Sequence, residues 1–210
     1  MGRDTADNAG PSRSRAHAAH RGRAASRRAG RAIILTMRRV SVIGGSGSGK
    51  TTVGRALATR LGVPFVELDE LHWAHPNWEL PELDEFRARV QTATLGERWV
   101  IDGSYGKARD LVWSRADTVV WLDLPFGLML WRTVRRTVGR IRNGERLWGI
   151  QKETFRGSFL SWDSVLIYAL RTRPRRLRLY REWLARPEYA HLEVVRLRSQ
   201  AEIERWLAET

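Results

Sequence analysis

The sequence predicts an α/β protein in which a parallel β-sheet carries helices on both faces, giving three layers. Apolar runs typical of buried strands alternate along the chain with stretches of helical periodicity. The composition is 42% hydrophobic, which suffices for a core and excludes a wholly disordered chain. A glycine-rich run separates the first strand from the first helix, as in α/β proteins that bind phosphate groups.

Each predicted strand is a short apolar run, and the helices show helical spacing. The first strand, Val40–Ile43, ends at glycines, and the helix over Thr51–Leu61 is closed by Gly62. Proline and glutamate in the first turn mark the start of a helix over Pro81–Leu95. The other predicted strands are Pro64–Leu68, Trp99–Ile101, Thr118–Leu122 and Leu192–Leu197, and the other predicted helices lie at 107–114, 126–142, 161–171, 174–186 and 200–208.

Residues 1–36 differ in composition from the rest of the chain. They hold eight Arg against two Asp, with no apolar period before Ile33, so they lack the apolar surface that ordering would require. We predict a disordered basic tail over 1–36 and one folded domain over 37–210. Met37 directly precedes the first strand and is a candidate start of translation. The alternative interpretation of the tail is a nucleic-acid-binding arm or a targeting peptide.

Composition restricts the function classes further. Cysteine is absent, which excludes disulfide frameworks, cysteine zinc sites and thiol nucleophiles and fits a reducing compartment. No apolar run approaches the roughly 18–20 residues of a membrane helix, so we expect a cytoplasmic protein without a membrane partner. The net charge is +14, and residues 128–186 alone hold 15 basic residues against 4 acidic ones. Such a basic stretch favours a phosphate-bearing partner, on a nucleotide, a nucleic acid or a membrane surface.

The run from Gly44 to Thr51 fits the motif G-x-x-x-x-G-K-[ST] in full and predicts a nucleoside triphosphate site. Small residues let consecutive backbone N–H groups turn inward around a phosphate, and the helix that follows adds its positive end. Lys50 would reach the β- and γ-phosphates, and the Thr51 hydroxyl would bind Mg²⁺. The predicted nucleotide-binding residues are Gly44, Gly45, Ser46, Gly47, Ser48, Gly49, Lys50, Thr51 and Thr52.

Three acidic residues follow predicted strands, at the sheet edge where ligands of open α/β sheets bind. Asp102 can hold Mg²⁺ through water or orient an attacking oxygen, so Thr51 and Asp102 are the predicted metal site. Asp69 is the predicted contact for the phosphoryl acceptor and its general base if the acceptor is a hydroxyl. For Asp123 we favour a structural role, because Pro125 follows it and a helix starts there. Each of the three also fits a turn or helix-capping residue.

These residues resemble a known family. The likeness rests on the glycine-rich loop and on the segments Leu68–Trp73 (with Pro76 and Trp78 after it), Trp99–Tyr105 and Ala116–Asp123, and it covers about residues 37–208. The chain is similar there to the adenylate-kinase-related P-loop proteins often labelled DNA topology modulation proteins. The resemblance implies a nucleotide-kinase-like fold with strand order 2-3-1-4-5 and ATP as the bound nucleotide.

The acceptor region departs from adenylate kinases. Asp102-Gly103 is similar to the start of their Asp-Gly-Phe-Pro-Arg block, but Ser104-Tyr105 replaces Phe-Pro, and Arg109 is the nearest arginine. This departure argues against a nucleoside monophosphate as acceptor. The position of Asp69 resembles that in small P-loop kinases of hydroxyl compounds, such as shikimate and gluconate kinases.

An arginine-rich helical lid is predicted over about 130–160. Arg132, Arg135, Arg136 and Arg140 recur at spacings of three and four, which places them on neighbouring parts of one helix surface. The resemblance implies that lid arginines neutralise the triphosphate, and we assign Arg132 and Arg136 this role beside Lys50, Asp69 and Asp102. A solvated basic face is the alternative for each arginine. The glycines that would give the lid its pliability are Gly139, Gly144, Gly149 and Gly157.

The aromatic residues after Asp69 leave two interpretations open. Trp73 and Trp78 would stack on an acceptor or cover the sheet edge, whereas Trp99 and Trp121 lie in strands and are predicted core residues. His72 and His75 lack an acidic partner at ligand spacing and are weak evidence for a metal.

The sequence therefore predicts an ATP-dependent kinase that transfers the γ-phosphoryl group of Mg-ATP to a small acceptor: a nucleotide, a nucleoside or another hydroxyl compound. The alternative is a nucleic-acid-associated P-loop ATPase that uses the tail and the cluster Arg171–Arg181.

Overall fold

The computed structural model describes residues 37–73, 79–143, 146–147, 151–152 and 178–210. Five parallel strands form one sheet, and, counted from 1 to 5 as these five occur along the chain, they lie side by side in the order 2-3-1-4-5. The fifth of them is labelled β7 below, because the two strands of a separate hairpin precede it in the chain. The predicted fold class and strand order are confirmed. The predicted tail over 1–36 lies outside the described residues, as do residues 144–145, 148–150 and 153–160 of the predicted lid.

The strands and helices alternate along the chain, as their periodicity predicts. Within the described residues, no helix is long and apolar enough to span a membrane. The elements are β1 (Arg39–Gly44), α1 (Lys50–Leu61), β2 (Phe65–Glu67), α2 (Leu68–His72), α3 (Leu83–Ala93), β3 (Trp99–Asp102), α4 (Arg109–Trp113), β4 (Thr118–Leu122), α5 (Phe126–Asn143), the hairpin strands β5 (Arg146–Leu147) and β6 (Gln151–Lys152), α6 (178–184), a 3₁₀ turn (Pro187–Tyr189), β7 (Glu193–Leu197) and α7 (Gln200–Glu209).

The core lies on both faces of the sheet, because every residue of β3 and β4 is buried. On one face, apolar side chains of α1, α5 and α7 pack against β1 and β4, and Met37 joins this cluster with its side chain 2% exposed. On the other face, α3, α4 and α6 cover Trp99 and Trp121, which are buried as predicted. The three layers follow from strands that are apolar on both faces.

Two local features differ from the predictions. The strand predicted over Pro64–Leu68 ends at Glu67, and the chain turns directly into the short helix α2, so Asp69 lies in a helical first turn. Leu68 is buried and anchors this turn, and five residues are too few for a periodicity to be visible in the sequence. The helix predicted from Pro81 begins at Leu83, because Pro81 and Glu82 form its non-helical entry. The predicted helix 161–171 lies outside the described residues.

Candidate nucleotide-binding site

The glycine-rich loop joins the end of β1 to the start of α1, at the carboxyl edge of the sheet. Gly47 and Gly49 have φ angles of 76° and 88°, a left-handed conformation that residues with a Cβ adopt rarely. A Cβ on Gly44 would lie 2.6 Å from Ser48 Oγ and 2.8 Å from the carbonyl oxygen of Leu122. Glycine at these positions is therefore required by backbone conformation and by close packing.

The N-terminus of α1 is suited to an anion. Its N-cap residue is Gly49, which offers no side-chain acceptor, and its first turn contains no acidic residue. The first N–H groups and the positive end of the helix dipole are therefore uncompensated by side chains. Ser48 Oγ is buried beside this turn and receives or donates no hydrogen bond among the residues that the structure describes. A phosphate would supply the missing acceptors.

Lys50 and Thr51, the first two residues of α1, meet one carboxylate from the neighbouring strand. The Thr51 hydroxyl donates to Asp102 Oδ2 over 2.5 Å, and Lys50 Nζ lies 3.9 Å from Asp102 Oδ1. Parallel pairing of β1 with β3 sets Val42 opposite Asp102, which brings the carboxylate to the foot of the loop. The structure thus brings together the three residues that the sequence assigns to phosphate and metal.

Asp102 is held in a charged network that is largely removed from water. Its side chain is 2% exposed, and burial raises its pKa above the ordinary value for an aspartate. The charge of Lys50 and the hydrogen bond from Thr51 oppose this rise, while the charge of Asp69 adds to it. Within the described part of the chain, Asp102 Oδ1 has no hydrogen-bond partner. The carboxylate therefore retains an oxygen that a hydrated cation can engage.

These donors fit Mg²⁺ bound with a nucleotide. Mg²⁺ prefers hard oxygen ligands and is usually held by one or two protein groups together with substrate phosphates and water. Thr51 Oγ1 and Asp102 Oδ1 are such oxygens, and they lie beside the phosphate-binding turn. Among the described residues, no group of three or more His, Cys, Asp or Glu side chains could hold a metal by itself.

A second polar centre forms around Asp69, on α2. The Tyr105 hydroxyl donates to Asp69 Oδ1 over 2.6 Å, although the two residues are 36 positions apart. The charge of Asp69 raises the pKa of Asp102, so this second centre is electrostatically linked to the first. Tyr105 was not among the predicted site residues. Its signal in the sequence is the segment Asp102–Tyr105, in which a polar aromatic residue closely follows a strand-end acid.

Glu67 is a further acidic residue near Asp102, and it is not among the predicted site residues. It ends β2, where the register sets it opposite Asp102. Burial, followed by the charges of Asp102 and Asp69, raises its pKa, and the charge of Arg55 opposes the rise. Arg55 lies 3.5 Å from Glu67. As a single polar residue at the end of a three-residue strand, Glu67 cannot be told from an ordinary surface-facing strand position by its pattern alone.

The predicted lid arginines have different partners in the structure. Arg136 on α5 donates to Ser46 Oγ in the glycine-rich loop over 3.4 Å, whereas Arg132 donates to Gln200 Oε1 on α7 over 3.0 Å. The same helix packs closely on the loop, because a Cβ on Gly47 would lie 2.2 Å from the carbonyl oxygen of Met129. Of the two predicted residues, Arg136 is at the loop and Arg132 is not.

Two other charged groups have structural partners. Both Nε and Nη2 of Arg196 donate to Asp123 Oδ2, and the guanidinium lies over the Trp121 ring, 4.3 Å from its centroid. Arg109 stacks on Trp183, with its guanidinium carbon 3.8 Å from the ring centroid. Asp123 therefore joins β4 to β7, as its predicted structural role implies.

The remaining predicted residues are placed only in part. Thr52 is exposed on α1 beyond the loop, and Trp73 packs edge-on against the His72 ring with their centroids 5.0 Å apart. Trp78, His75 and the lid glycines Gly144, Gly149 and Gly157 lie outside the described residues.

Comparison with known proteins gives one long match and several short ones. The chain is 30% identical to the uncharacterized protein YqaC of Bacillus subtilis over 148 residues, 70% of this chain and 82% of that protein. It is 50% identical to a shikimate kinase of Ruegeria pomeroyi over 46 residues, 22% of this chain and 24% of that enzyme. Residues 46–83, which include the loop and Asp69, match the shikimate kinase family.

Among solved structures, the shikimate kinase of Acinetobacter baumannii, determined in complex with shikimate, has the same fold. The TM-score is 0.50 and the sequence identity 22%, over 85% of this chain and 93% of that one. Shikimate kinase-like P-loop kinases use ATP with Mg²⁺, the ligands predicted from the sequence and fitted by the loop and Asp102. The adenylate-kinase-related and DNA-topology labels are not among these matches.

Proposed function

This chain belongs to the P-loop protein family of YqaC, and we propose that it is an ATP-dependent kinase of a small hydroxyl compound. The observation that carries the proposal is the presence of two polar centres that are linked through the charge of Asp69 on Asp102. One centre is the loop with Lys50, Thr51 and Asp102, and the other is Asp69 with Tyr105. An ATPase needs the first centre only, whereas a kinase also needs a group that receives the acceptor.

The proposed roles follow from the chemistry of each residue. Lys50 and the loop N–H groups would balance charge on the phosphates, and Thr51 and Asp102 would hold Mg²⁺, whose charge would polarise the transferred group. Asp69 orients the acceptor hydroxyl and takes its proton as that oxygen bonds to the γ-phosphorus and ADP leaves. Arg136, through its contact with Ser46, is the lid arginine best situated to stabilise charge on the phosphates. Arg132 would need to leave Gln200 to do the same.

We also propose that the chain is an adenylate-kinase-related member of the P-loop proteins. The adenylate-kinase-related resemblance rests on the segments Leu68–Trp73 and Trp99–Tyr105, and shikimate kinase-like proteins share the P-loop fold. Among the described residues, no observation favours the nucleic-acid-associated ATPase. Of the cluster Arg171–Arg181, Arg178 and Arg181 lie in the described part, and the Arg178 guanidinium is paired with Glu182 at 2.7 Å.

The test is phosphoryl transfer from labelled ATP to a panel of small acceptors, including shikimate, sugars and nucleosides. We expect transfer by the wild type to at least one acceptor and none by Lys50→Ala, because that variant loses the charge on the β- and γ-phosphates. Asp69→Asn keeps the side-chain shape and loses its basicity, so acceptor-dependent turnover should fall about 10²- to 10⁴-fold while ATP binding persists.

Glu70→Gln is the matched control for Asp69→Asn, because it removes the same charge from the next residue of α2, which is exposed. This variant should turn over like the wild type. ATP hydrolysis at equal rates with and without every acceptor, and unchanged in Asp69→Asn, would contradict the kinase assignment.

A further inference from the structure

Aromatic and imidazole rings lie beside Asp69. The His72 ring lies 4.3 Å from that of Tyr105 and 4.9 Å from that of Phe86, centroid to centroid, and Trp73 packs on its edge. Phe86 is buried, whereas His72, Trp73 and Tyr105 are each partly exposed. We call the partly exposed residues His72, Trp73 and Tyr105 the acceptor wall. Partly exposed rings beside a carboxylate give a surface that is apolar on its ring faces and polar at one end.

Two polar atoms of this region are left for a ligand. The Tyr105 hydroxyl occupies Asp69 Oδ1, and no hydrogen bond from the described residues reaches Asp69 Oδ2. His72 Nδ1 is shielded from solvent and has no hydrogen-bond partner among the described residues. A shielded polar atom without a partner costs stability, so such atoms are rare unless a ligand or water completes them. Together they offer an acceptor one carboxylate oxygen and one ring nitrogen.

The charge around the acceptor wall is unfavourable to an anion. The charges of Asp102 and Asp69 raise the pKa of Glu67, and the charge of Asp69 also raises that of Asp102, so negative charge is concentrated beside the acceptor wall. Lys107 is the cation whose charge reaches His72, and its side chain is exposed to solvent. The arginines that border α2 and the loop after β3 are engaged: Arg55 with Glu67, Arg87 with Asp110 and Arg89 with Glu85, at 3.5, 2.7 and 2.5 Å.

The protonation state of His72 also disfavours an anionic acceptor. Burial lowers its pKa below the ordinary value for histidine, with Lys107 contributing and Asp69 opposing. The imidazole is therefore predominantly neutral at pH 7 and presents a hydrogen-bonding nitrogen rather than a charge. Carboxylate and phosphate groups are normally bound by guanidinium or ammonium groups. The three residues of the acceptor wall carry neither group.

Resting on the proposed function, we infer that the acceptor is an uncharged hydroxyl compound with a flat ring, of which an unphosphorylated nucleoside is the simplest example. Its hydroxyl binds Asp69 Oδ2 and its ring lies against His72 and Tyr105. In transfer, the acceptor oxygen bonds to the γ-phosphorus, the bond to the bridging oxygen of ADP breaks, and the hydroxyl proton passes to Asp69. Tyr105 acts as a positioning residue, because its hydroxyl fixes the Asp69 carboxylate.

The test compares four acceptor types on the wild-type full chain at equal ATP: nucleosides, their 5′-monophosphates, shikimate as a carboxylated ring alcohol, and myo-inositol as a neutral saturated ring. We expect kcat/KM for one of the nucleosides to exceed that for the other three types at least tenfold. A preference for the carboxylated, phosphorylated or saturated acceptor overturns the inferred class while leaving the kinase intact. Transfer to none of them overturns the acceptor class, and hydrolysis that ignores every acceptor overturns the kinase as well.

Two variants test the acceptor wall itself. His72→Phe keeps a ring and removes the nitrogen, so KM for the nucleoside should rise about 2- to 10-fold, as for the loss of one hydrogen bond, with KM for ATP unchanged. Tyr105→Phe removes the donor to Asp69 and should lower kcat more than it raises the acceptor KM. His191→Phe is the matched control, because His191 contacts the Trp113 carbonyl away from this site. Equal kinetic changes in His72→Phe and His191→Phe would overturn the assignment of the acceptor wall.

Discussion

Gly47 joins the phosphate-binding loop to α5, and replacing it with alanine tests this contact. Its left-handed backbone, with φ at 76°, costs a residue with a Cβ about 1–2 kcal/mol. The new Cβ would also lie 2.2 Å from the carbonyl oxygen of Met129 and 2.5 Å from Thr133 Oγ1. Both distances are at least 1 Å shorter than the separation of about 3.5 Å at which heavy atoms attract.

The clash cannot be relieved by rotating a side chain, because the Met129 oxygen belongs to the backbone of α5. Either the loop or the helix must move, and such overpacking costs about 1–3 kcal/mol. We therefore expect Gly47→Ala to lower the free energy of unfolding by about 2–5 kcal/mol in total. Nucleotide binding should weaken as well, since the loop conformation is changed.

Gly62→Ala is the matched control. Gly62 has a φ of 61°, and a Cβ there would have no atom within 4 Å, so only the backbone term of about 1–2 kcal/mol applies. Urea unfolding followed by far-ultraviolet circular dichroism, without nucleotide, measures both variants. The difference between them should be about 1–3 kcal/mol, the packing term alone. Equal destabilisation by the two substitutions would refute the close packing of α5 on the loop.

Three further predictions concern stability. Asp102→Asn should raise Tm without nucleotide near neutral pH and abolish stabilisation by Mg-ATP. Because the pKa of Asp102 is raised in the folded state, the difference in stability between variant and wild type should grow as pH rises from the ordinary aspartate pKa through the raised one. A lower Tm of the variant at neutral pH would show that the attraction of Lys50 outweighs the cost of burial. Arg196→Met should cost about 1–3 kcal/mol by leaving Asp123 unpaired, with KM for ATP unchanged; an altered KM would give Asp123 a part in the site. A chain beginning at Met37 should melt and turn over like the full chain, and a lower Tm would show that residues 1–36 pack on the domain.

The sequence predicts the parts of this fold that depend on local patterns. Strands such as Thr118–Leu122 are continuous apolar runs, and the loop around Lys50 has a motif whose spacing fixes its conformation. Asp102 could be assigned because a parallel sheet brings the carboxyl ends of its strands to one edge, so a residue at the end of a strand is expected at that edge.

What could not be predicted depends on pairs that are distant in the chain. Arg132 and Arg136 are four residues apart on one helix, yet one meets Gln200 and the other Ser46. Helical periodicity gives neighbours on α5 but not the elements against which its turns lie. The bond from Tyr105 to Asp69 likewise requires the relative placement of α2 and the loop after β3, which no local pattern contains.

The register of β3 against β1 restricts where this family can change in length. Asp102 meets Thr51 only because Val42 stands opposite it, and successive strand residues point to opposite faces. One residue inserted between Trp99 and Asp102 would turn Asp102 away from the loop and bring an apolar side chain to Thr51. Residues 95–98 are exposed and precede the strand, so an insertion there leaves the pairing intact. We therefore expect relatives to gain and lose residues in that turn, while the four positions of β3 stay uninterrupted.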